Sequence, residues 1–328
     1  MIVRFGYVAM STVVHNASPS KTMTATNFAK LNDREAAIRK LERLAAENIN
    51  NSLRLLKHNR AHDIKVYRYS SKLIPLLGHE LLEGWNPIPS LAESFAATGD
   101  YAKEHGMRVS FHPDHFTVLS THREDILRKS VEDLDRHVSM LEAMGLDEAA
   151  MCNIHIGGSY GDKDVAGKRF VRQFNALEER IIRRITLEND DKTFNALETL
   201  AVCEEVGVPM VLDIHHHAVN NEGDAGYGFW TRVLETWKAN RGGFSMDSLP
   251  PKIHVSSPKS EKDPRGHADY VDVQQLLAFL KDIAADTAYL DVMIEAKMKD
   301  EALFRLMEEL PKIDGIKRIN QASVEVFA

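Results

Sequence analysis

RITLENDDKTFNALETLAVCEEVGVPMVLDIHH, residues 184–216, reads as one strand–helix–strand unit. Its outer parts, Arg184–Glu188 and Pro209–Ile214, are short apolar runs, and each carries an acid at its C-terminal end. Between them, Thr193–Glu205 has apolar residues at helical spacing, and a crossover helix of this kind joins parallel strands. The same rhythm runs outward in both directions. Strand candidates precede the unit at Ile2–Val8, Ile64–Tyr69, Met107–Phe111 and Ala150–Ile156, and follow it at Lys252–Val255 and Tyr289–Glu295. Helical spacing fills the intervals, as at Asp33–Lys57, Arg123–Met144 and Val271–Ala284. Eight βα units in 328 residues predict an α/β fold, a single (β/α)8 TIM barrel forming one domain over residues 1–328. A doubly wound sheet is the alternative, and the near-regular repetition favours closure.

Composition narrows the class. With 44% hydrophobic and 27% charged residues, the chain is neither disordered nor fibrous. No apolar run approaches the ~18 residues that a membrane span requires, so no membrane partner is expected. Arg4 interrupts the apolar start MIVRFGYVAM, which does not read as a signal peptide. Cys152 and Cys203 are too few for a disulfide framework, and a cytoplasmic location is expected. The net charge is −7, but residues 1–72 hold 13 Lys and Arg against five acids, leaving −15 for the remainder. Such asymmetry marks either a nucleic-acid-facing side or a solvated first helix. The anomaly is histidine, at 15 residues.

In a barrel of this kind the chemistry sits at the C-terminal ends of the strands. The strand ends VSFHP, CNIHIGG, ITLEND, VLDIHH, KIHVSS and MIEAK bring His112, His155, Glu188, Asp213, His254 and Glu295 to corresponding positions. His216 follows Asp213 by three residues, and His267 lies in the loop after the seventh strand. A ring of unpaired carboxylates is costly to hold together, and divalent cations remove that cost. Imidazole and carboxylate without thiolate suit Mn²⁺, Zn²⁺ or Fe²⁺. Eight candidate ligands exceed the roughly four to six that one ion takes, so two or three ions per chain are expected.

The set VSFHPDHF, CNIHIGGSYGDK, RITLEND, LDIHHH, KIHVSS, GHADY and IEAK resembles the UV damage endonuclease family, a barrel relative of endonuclease IV. The resemblance begins at RFGYVAMS and reaches Glu295, nearly the whole chain. It implies a metal cluster, with Mn²⁺ expected and Zn²⁺ or Mg²⁺ as substitutes. The cluster would cut damaged double-stranded DNA immediately 5′ to a UV photoproduct, without ATP. It further implies that His112 and His155 hold one ion, with Glu188 bridging to a second held by Asp213, His254 and Glu295. His216 and His267 would hold a third. Endonuclease IV usually carries an Asp two residues before its last ligand histidine, where this chain has Arg265. That departure leaves the third ion a ligand short and favours the UV-damage branch over the abasic-site branch.

Lys252 lies two residues before His254, and strand alternation puts both on one face. It is either a plain ion-pair partner or a neutral amine; the resemblance implies the latter, carboxylated by CO₂ and bridging the ions. The family also reads lesions by pushing two side chains into the duplex from the loop after strand three. Here that loop offers His115 and Phe116, where some members carry Gln and Tyr. Phe116 could wedge between bases or equally pack beneath its loop. Tyr7, Arg68 and Tyr69 end the first two strands and are expected to line the pocket for the flipped dinucleotide. Lys163, in the glycine-rich loop after strand four, is expected to touch phosphate. That loop is not a P-loop, since Arg169 stands where Ser or Thr is needed.

The expected mechanism is metal-assisted hydrolysis of a phosphodiester, with Glu188, Lys252 and Glu295 at its centre and 3′-hydroxyl and 5′-phosphate products. Nothing in the sequence implies an oligomer. Glu188, Asp213, His254 and Glu295 also match the quartet of metal-dependent sugar isomerase and epimerase barrels, which would not need the other four histidines. An abasic-site endonuclease of the endonuclease IV type is a second rival. A purely structural metal-binding barrel is the non-enzymatic alternative.

Overall fold

The computed structural model describes residues 1–240 and 242–327. Seven parallel strands follow one another: β1 (Ile2–Val8), β2 (Val66–Arg68), β3 (Arg108–Phe111), β4 (Met151–His155), β5 (Ile185–Glu188), β6 (Met210–Asp213) and β7 (Lys252–Val255). A separate two-stranded hairpin, β8 (Pro258–Ser260) and β9 (Asp263–His267), precedes the eighth barrel strand, β10 (Tyr289–Ile294). β10 pairs with both β7 and β1, with Tyr7 opposite Ile294, so the sheet closes as the expected (β/α)8 barrel. The C-terminal hairpin β11 (Ile316–Asn320) and β12 (Ser323–Val326) adds an antiparallel neighbour to β1. It finds room because β2 meets only Gly6–Val8, leaving Ile2–Arg4 for β12.

The helices are α1 (Ala25–Ala29), α2 (Arg34–Ala61), α3 (Ala92–Glu104), α4 (Glu124–Ala143), α5 (Lys163–Phe174) and α6 (Glu179–Ile182), then α7 (Ala196–Val206), α8 (Ile214–Val219), α9 (Trp230–Ala239), α10 (Val273–Ile283) and α11 (Lys299–Glu309). Among the described residues, none is long and apolar enough to cross a membrane. The opening unit shows how local chemistry sets the boundaries. Residues 190–194 are a turn rather than the helix start expected at Thr193. The Asp190 carboxylate accepts from the backbone N–H of Lys192 (2.8 Å) and Phe194 (3.0 Å). Helix α7 then begins with a capping box, the Asn195 side chain accepting from Glu198 N at 3.0 Å and the Glu198 carboxylate from Asn195 N at 2.9 Å. Gly207 ends it in the left-handed conformation at φ 71°.

Strand parity sorts the side chains into two layers. Phe5, Phe111, Ile154, Leu187, Leu212, Ile253 and Val292 are all at most 2% exposed and belong to the main hydrophobic core. Burial of each such side chain contributes about 1.5–3 kcal/mol. Residues of the other parity face the lumen. Asp291 accepts from Arg4 Nε (2.7 Å) and Arg4 Nη2 (3.0 Å), and from Arg108 Nη1 (2.7 Å). These three groups stand on β10, β1 and β3, and because β10 and β3 are not neighbours their side chains meet only across the lumen. Above this charged floor Val8, Val66 and Met293 form a small apolar plug. Continuing along the same parity brings Arg68, His112, His155, Glu188, His254 and Glu295 to the upper rim.

Because Asp291 is fully buried and neutralises two guanidinium groups, Asp291→Ala strands positive charge in the core. It is expected to lower stability by about 3–5 kcal/mol in urea titration followed by circular dichroism.

Candidate metal centre

Glu188 ends β5 with 1% exposure and is the point on which the rim converges. Three sets of potential ligand atoms, each set within 4.8 Å, share it: His112 and His155; Asp213 and His216; His254 and Glu295. His112 Nε2 lies 3.2 Å from Glu188 Oε2, and His254 Nδ1 lies 3.1 Å from that same oxygen and 3.0 Å from Glu295 Oε1. The Asn153 side chain donates to Glu188 Oε2 and itself accepts from Thr186 at 2.8 Å, which fixes the carboxylate plane. Asn189 does the same for β6, accepting from Asp213 N at 2.9 Å and donating to Asp213 O at 3.0 Å. Asp213 caps the short helix α8, its Oδ1 accepting from His216 N at 2.8 Å, which turns His216 back toward the site.

The histidines are oriented by main-chain carbonyls, which only accept. Nδ1 of His112 meets Pro113 O (3.0 Å), that of His155 Glu188 O (3.2 Å), that of His216 Asn189 O (2.9 Å) and that of His267 Glu295 O (3.0 Å). A carbonyl can only accept, so each of these Nδ1 atoms carries its proton toward the main chain, which fixes the ring orientation. Glu188 Oε1 and Asp213 Oδ2 are buried without a hydrogen-bond partner. Buried groups of that kind are rare unless something completes them. Imidazoles beside carboxylates with orphaned, desolvated lone pairs fit divalent cations.

Without cations, protons take the place of positive charge. Burial opposes the imidazolium forms of His216 and His254, but neighbouring carboxylates outweigh it and push both up to about 9. For His216 these are Asp213 and Glu188, and for His254 they are Glu188 and Glu295. Glu188 and Glu295 are held well below the usual carboxylate range: against burial, His254 and His155 act on Glu188, and Arg68 and His254 on Glu295. Burial raises Asp213 and lowers His155.

The structure distributes the other expected residues unevenly. His267 stands on β9 with its ring centroid 6.4 Å from that of His216, but joins none of the three ligand sets. Arg265 beside it pairs with Asp191 at 3.6 Å. Lys252 is 5% exposed, its Nζ 3.3 Å from Ser110 Oγ. It sits among arginines rather than in a ring of carboxylates: burial first, then Arg108, Arg68 and Arg4, lower its pKa well below that of an ordinary lysine, with Asp291 opposing. His115 and Phe116 project from the loop after β3, Phe116 74% exposed and the two rings 4.0 Å apart.

Three expectations do not fit. Tyr7 and Tyr69 are 0% and 1% exposed, so neither ring is open to a flipped base. Their parity matches the outer layer, and the Tyr7 hydroxyl donates to Asn59 of α2 at 2.8 Å. Arg68 has lumen parity, yet it bonds Glu295 rather than standing free for DNA. Lys163 is held by the Glu198 carboxylate at 2.8 and 2.9 Å. Of the basic N-terminal residues, Arg4 lies at the floor, Lys65 bonds His105 O and Lys57 lies over the Tyr101 ring. The groups missed in the sequence are Asn153 and Asn189. Asn153 shares the parity of His155, which was a legible signal.

The histidine shifts give a pH signature. An unfolded histidine titrates near roughly 6.5. A folded-state value of about 9 therefore stabilises the metal-free protein fully below the unfolded value, and the contribution is lost as pH rises through about 9. The Tm of the metal-free protein is expected to fall by several degrees across that window in scanning calorimetry. A divalent cation held by these imidazoles would keep them neutral, so adding Mn²⁺ should abolish the fall.

Comparison with known proteins agrees with this geometry. The profile of the family described as UV-endonuclease UvdE matches residues 3–327. A UV DNA damage endonuclease of Halalkalibacterium halodurans is 44% identical over 326 residues, 99% of each chain. One from Bacillus pumilus is 42% identical over 326 residues, again 99% of each. Among solved structures, SacUVDE aligns with a TM-score of 0.80 at 27% identity, over 95% of this chain and 100% of that one. Endonuclease IV from Thermus thermophilus reaches 0.53 at 13% identity, over 93% and 97%, a likeness of fold alone. Since the similarity runs through every barrel strand rather than through a few motifs, this chain belongs to the UV-endonuclease UvdE family.

Proposed function

We propose that the protein is a metal-dependent endonuclease, a single catalytic domain that cuts damaged double-stranded DNA immediately 5′ to UV photoproducts without ATP. The observation that carries this reading is the buried Glu188 carboxylate shared by three ligand sets in a chain of the UvdE family. His112, His155, Glu188, Asp213, His216, His254, His267 and Glu295 would hold two or three divalent ions, Mn²⁺ first among them, with Zn²⁺ or Mg²⁺ as substitutes. Such ions supply Lewis acidity, activating water near neutral pH and neutralising charge on the phosphodiester.

The side chains do the positioning. Asn153 holds the plane of Glu188 and Arg68 that of Glu295, while carbonyl-bound Nδ1 protons keep four imidazoles in one tautomer. Water attacks phosphorus in line with the 3′ oxygen, which leaves with a proton, giving 3′-hydroxyl and 5′-phosphate ends. No side-chain nucleophile is needed. Phe116, exposed beside His115, is suited to fill the space vacated by displaced lesion bases. Membership of the UvdE family, together with His112, His155, His216 and His267, favours this reading over a sugar epimerase.

Lys252 deepens the reading. Its buried amine is shifted toward the neutral, nucleophilic form, which is the form that takes up CO₂. As a carbamate it would offer oxygen ligands from the floor of the site. Native mass spectrometry should find the metal-loaded chain heavier by one CO₂, and Lys252→Ala should abolish the increment. Unmodified Lys252 in fully active protein would remove the carbamate.

The direct assay incubates purified protein and Mn²⁺ with irradiated, abasic and undamaged duplexes, and maps the ends. The irradiated duplex should be nicked 5′ to the lesion, and Phe116→Ala should lower cleavage about tenfold. An irradiated duplex left intact overturns the proposed function, and wild-type efficiency in Phe116→Ala overturns the wedge.

A further inference from the structure

We propose that Tyr160, on the loop after β4, is a stacking platform for an unpaired nucleobase of the bound DNA. The inference rests on DNA being the substrate, and adds a binding element on a loop separate from the one carrying Phe116.

The sequence GGSYGD (157–162) invites a phosphate cradle served by Lys163, but that amine is committed to Glu198. What the loop displays instead is an aromatic ring. Tyr160 has φ 50°, a left-handed conformation that bulky side chains rarely adopt and that persists only where surroundings enforce it. Those surroundings are specific. A Cβ at Gly157 (φ 110°) would come within 2.7 Å of Ser120 Oγ and 3.1 Å of Val118, so the loop lies directly against the segment after β3. Ser120 Oγ donates to Gly158 O at 3.1 Å, and Arg169 Nη1 donates to Ser120 O at 2.7 Å.

The ring is then held on two sides. His122 meets it edge-on, 5.1 Å between centroids at 88°. The Arg169 guanidinium lies 5.9 Å from its centroid, and Tyr160 Cε2 lies 3.5 Å from the position a Gly158 Cβ would take. Even so, Tyr160 remains 44% exposed. The cleft of about 480 Å³ that His112 and His155 line is also bordered by His115 and Gly158, from the two loops concerned. Each loop thus presents an exposed aromatic backed by a histidine, Phe116 with His115 and Tyr160 with His122. A base displaced from its stack needs a π-face to replace the one it lost, and every base can use one. A phosphate would need a free cation, whereas Arg169 is bound to Ser120 O and Arg123 to Asp125 at 2.7 Å.

The discriminating variant is Tyr160→Gly, which removes the ring while relieving the backbone. Single-turnover cleavage of an irradiated duplex by the Mn²⁺-loaded protein should need about tenfold more protein for half-maximal rate. Its Tm should stay at or above that of the wild type, the salt dependence should keep its slope because no phosphate contact is lost, and Tyr160→Phe should restore the wild-type value. A lowered Tm would make the ring structural, and a salt slope reduced by about one would make the contact a phosphate; either overturns the platform. Unchanged half-saturation in Tyr160→Gly also removes it while leaving the proposed function standing. A wild-type protein that neither binds nor cuts irradiated duplex removes both.

Discussion

A carboxylate buried to 1% exposure, with one oxygen lacking any hydrogen bond, is the constraint around which this barrel is arranged. Glu188 cannot sit at the centre of a parallel barrel unless positive charge surrounds it. The protein meets that requirement with imidazoles from β3, β4 and β7 and from helix α8. Each is aimed by a contact from its other face, or, for His254, held between Glu188 and Glu295. In the metal-free chain the same demand appears as protonation of His216 and His254. The three ligand sets are therefore one electrostatic unit, since every set includes Glu188.

A second charged layer lies below the first, and the two have different tasks. Asp291, Arg4 and Arg108 form a closed ion-pair group at the floor, with the carboxylate saturated by three hydrogen bonds. Lys252, next in line on β7, finds guanidinium groups as its main charged neighbours and no carboxylate free to pair with it. Burial above all, and then the guanidinium groups of the floor, push its pKa down. The apolar plug of Val8, Val66 and Met293 occupies the lumen beside these polar layers.

Several features of the site were legible from residue order alone because a strand has a period of two. His254 and Lys252 share a face, as do His155 and Asn153, and the ligands recur at strand ends since the barrel places every C-terminus on one rim. The same rule argues against Tyr7 and Tyr69 as pocket residues, as they alternate with Val8 and Arg68 of the lumen side. Other outcomes had no local signature. Nothing in the order Lys163–Glu198 announces an ion pair between α5 and α7, and nothing near Arg68 announces its bond to Glu295. The hairpin β8–β9 carrying His267 reads as a plain loop in the sequence, because strands so short leave almost no periodic trace.

Residue order carried the number and succession of the βα units, the set of candidate ligands at the strand ends and the resemblance to UV endonucleases. These depend on local periodicity and on residue type, which survive without coordinates. Which charges remain free emerged only on folding. A lysine or arginine is available to a substrate only if no carboxylate or carbonyl reaches it, and such partners arrive from distant points in the chain. Folding consumed Arg4, Arg68 and Lys163 in this way, and left Phe116 and Tyr160 exposed.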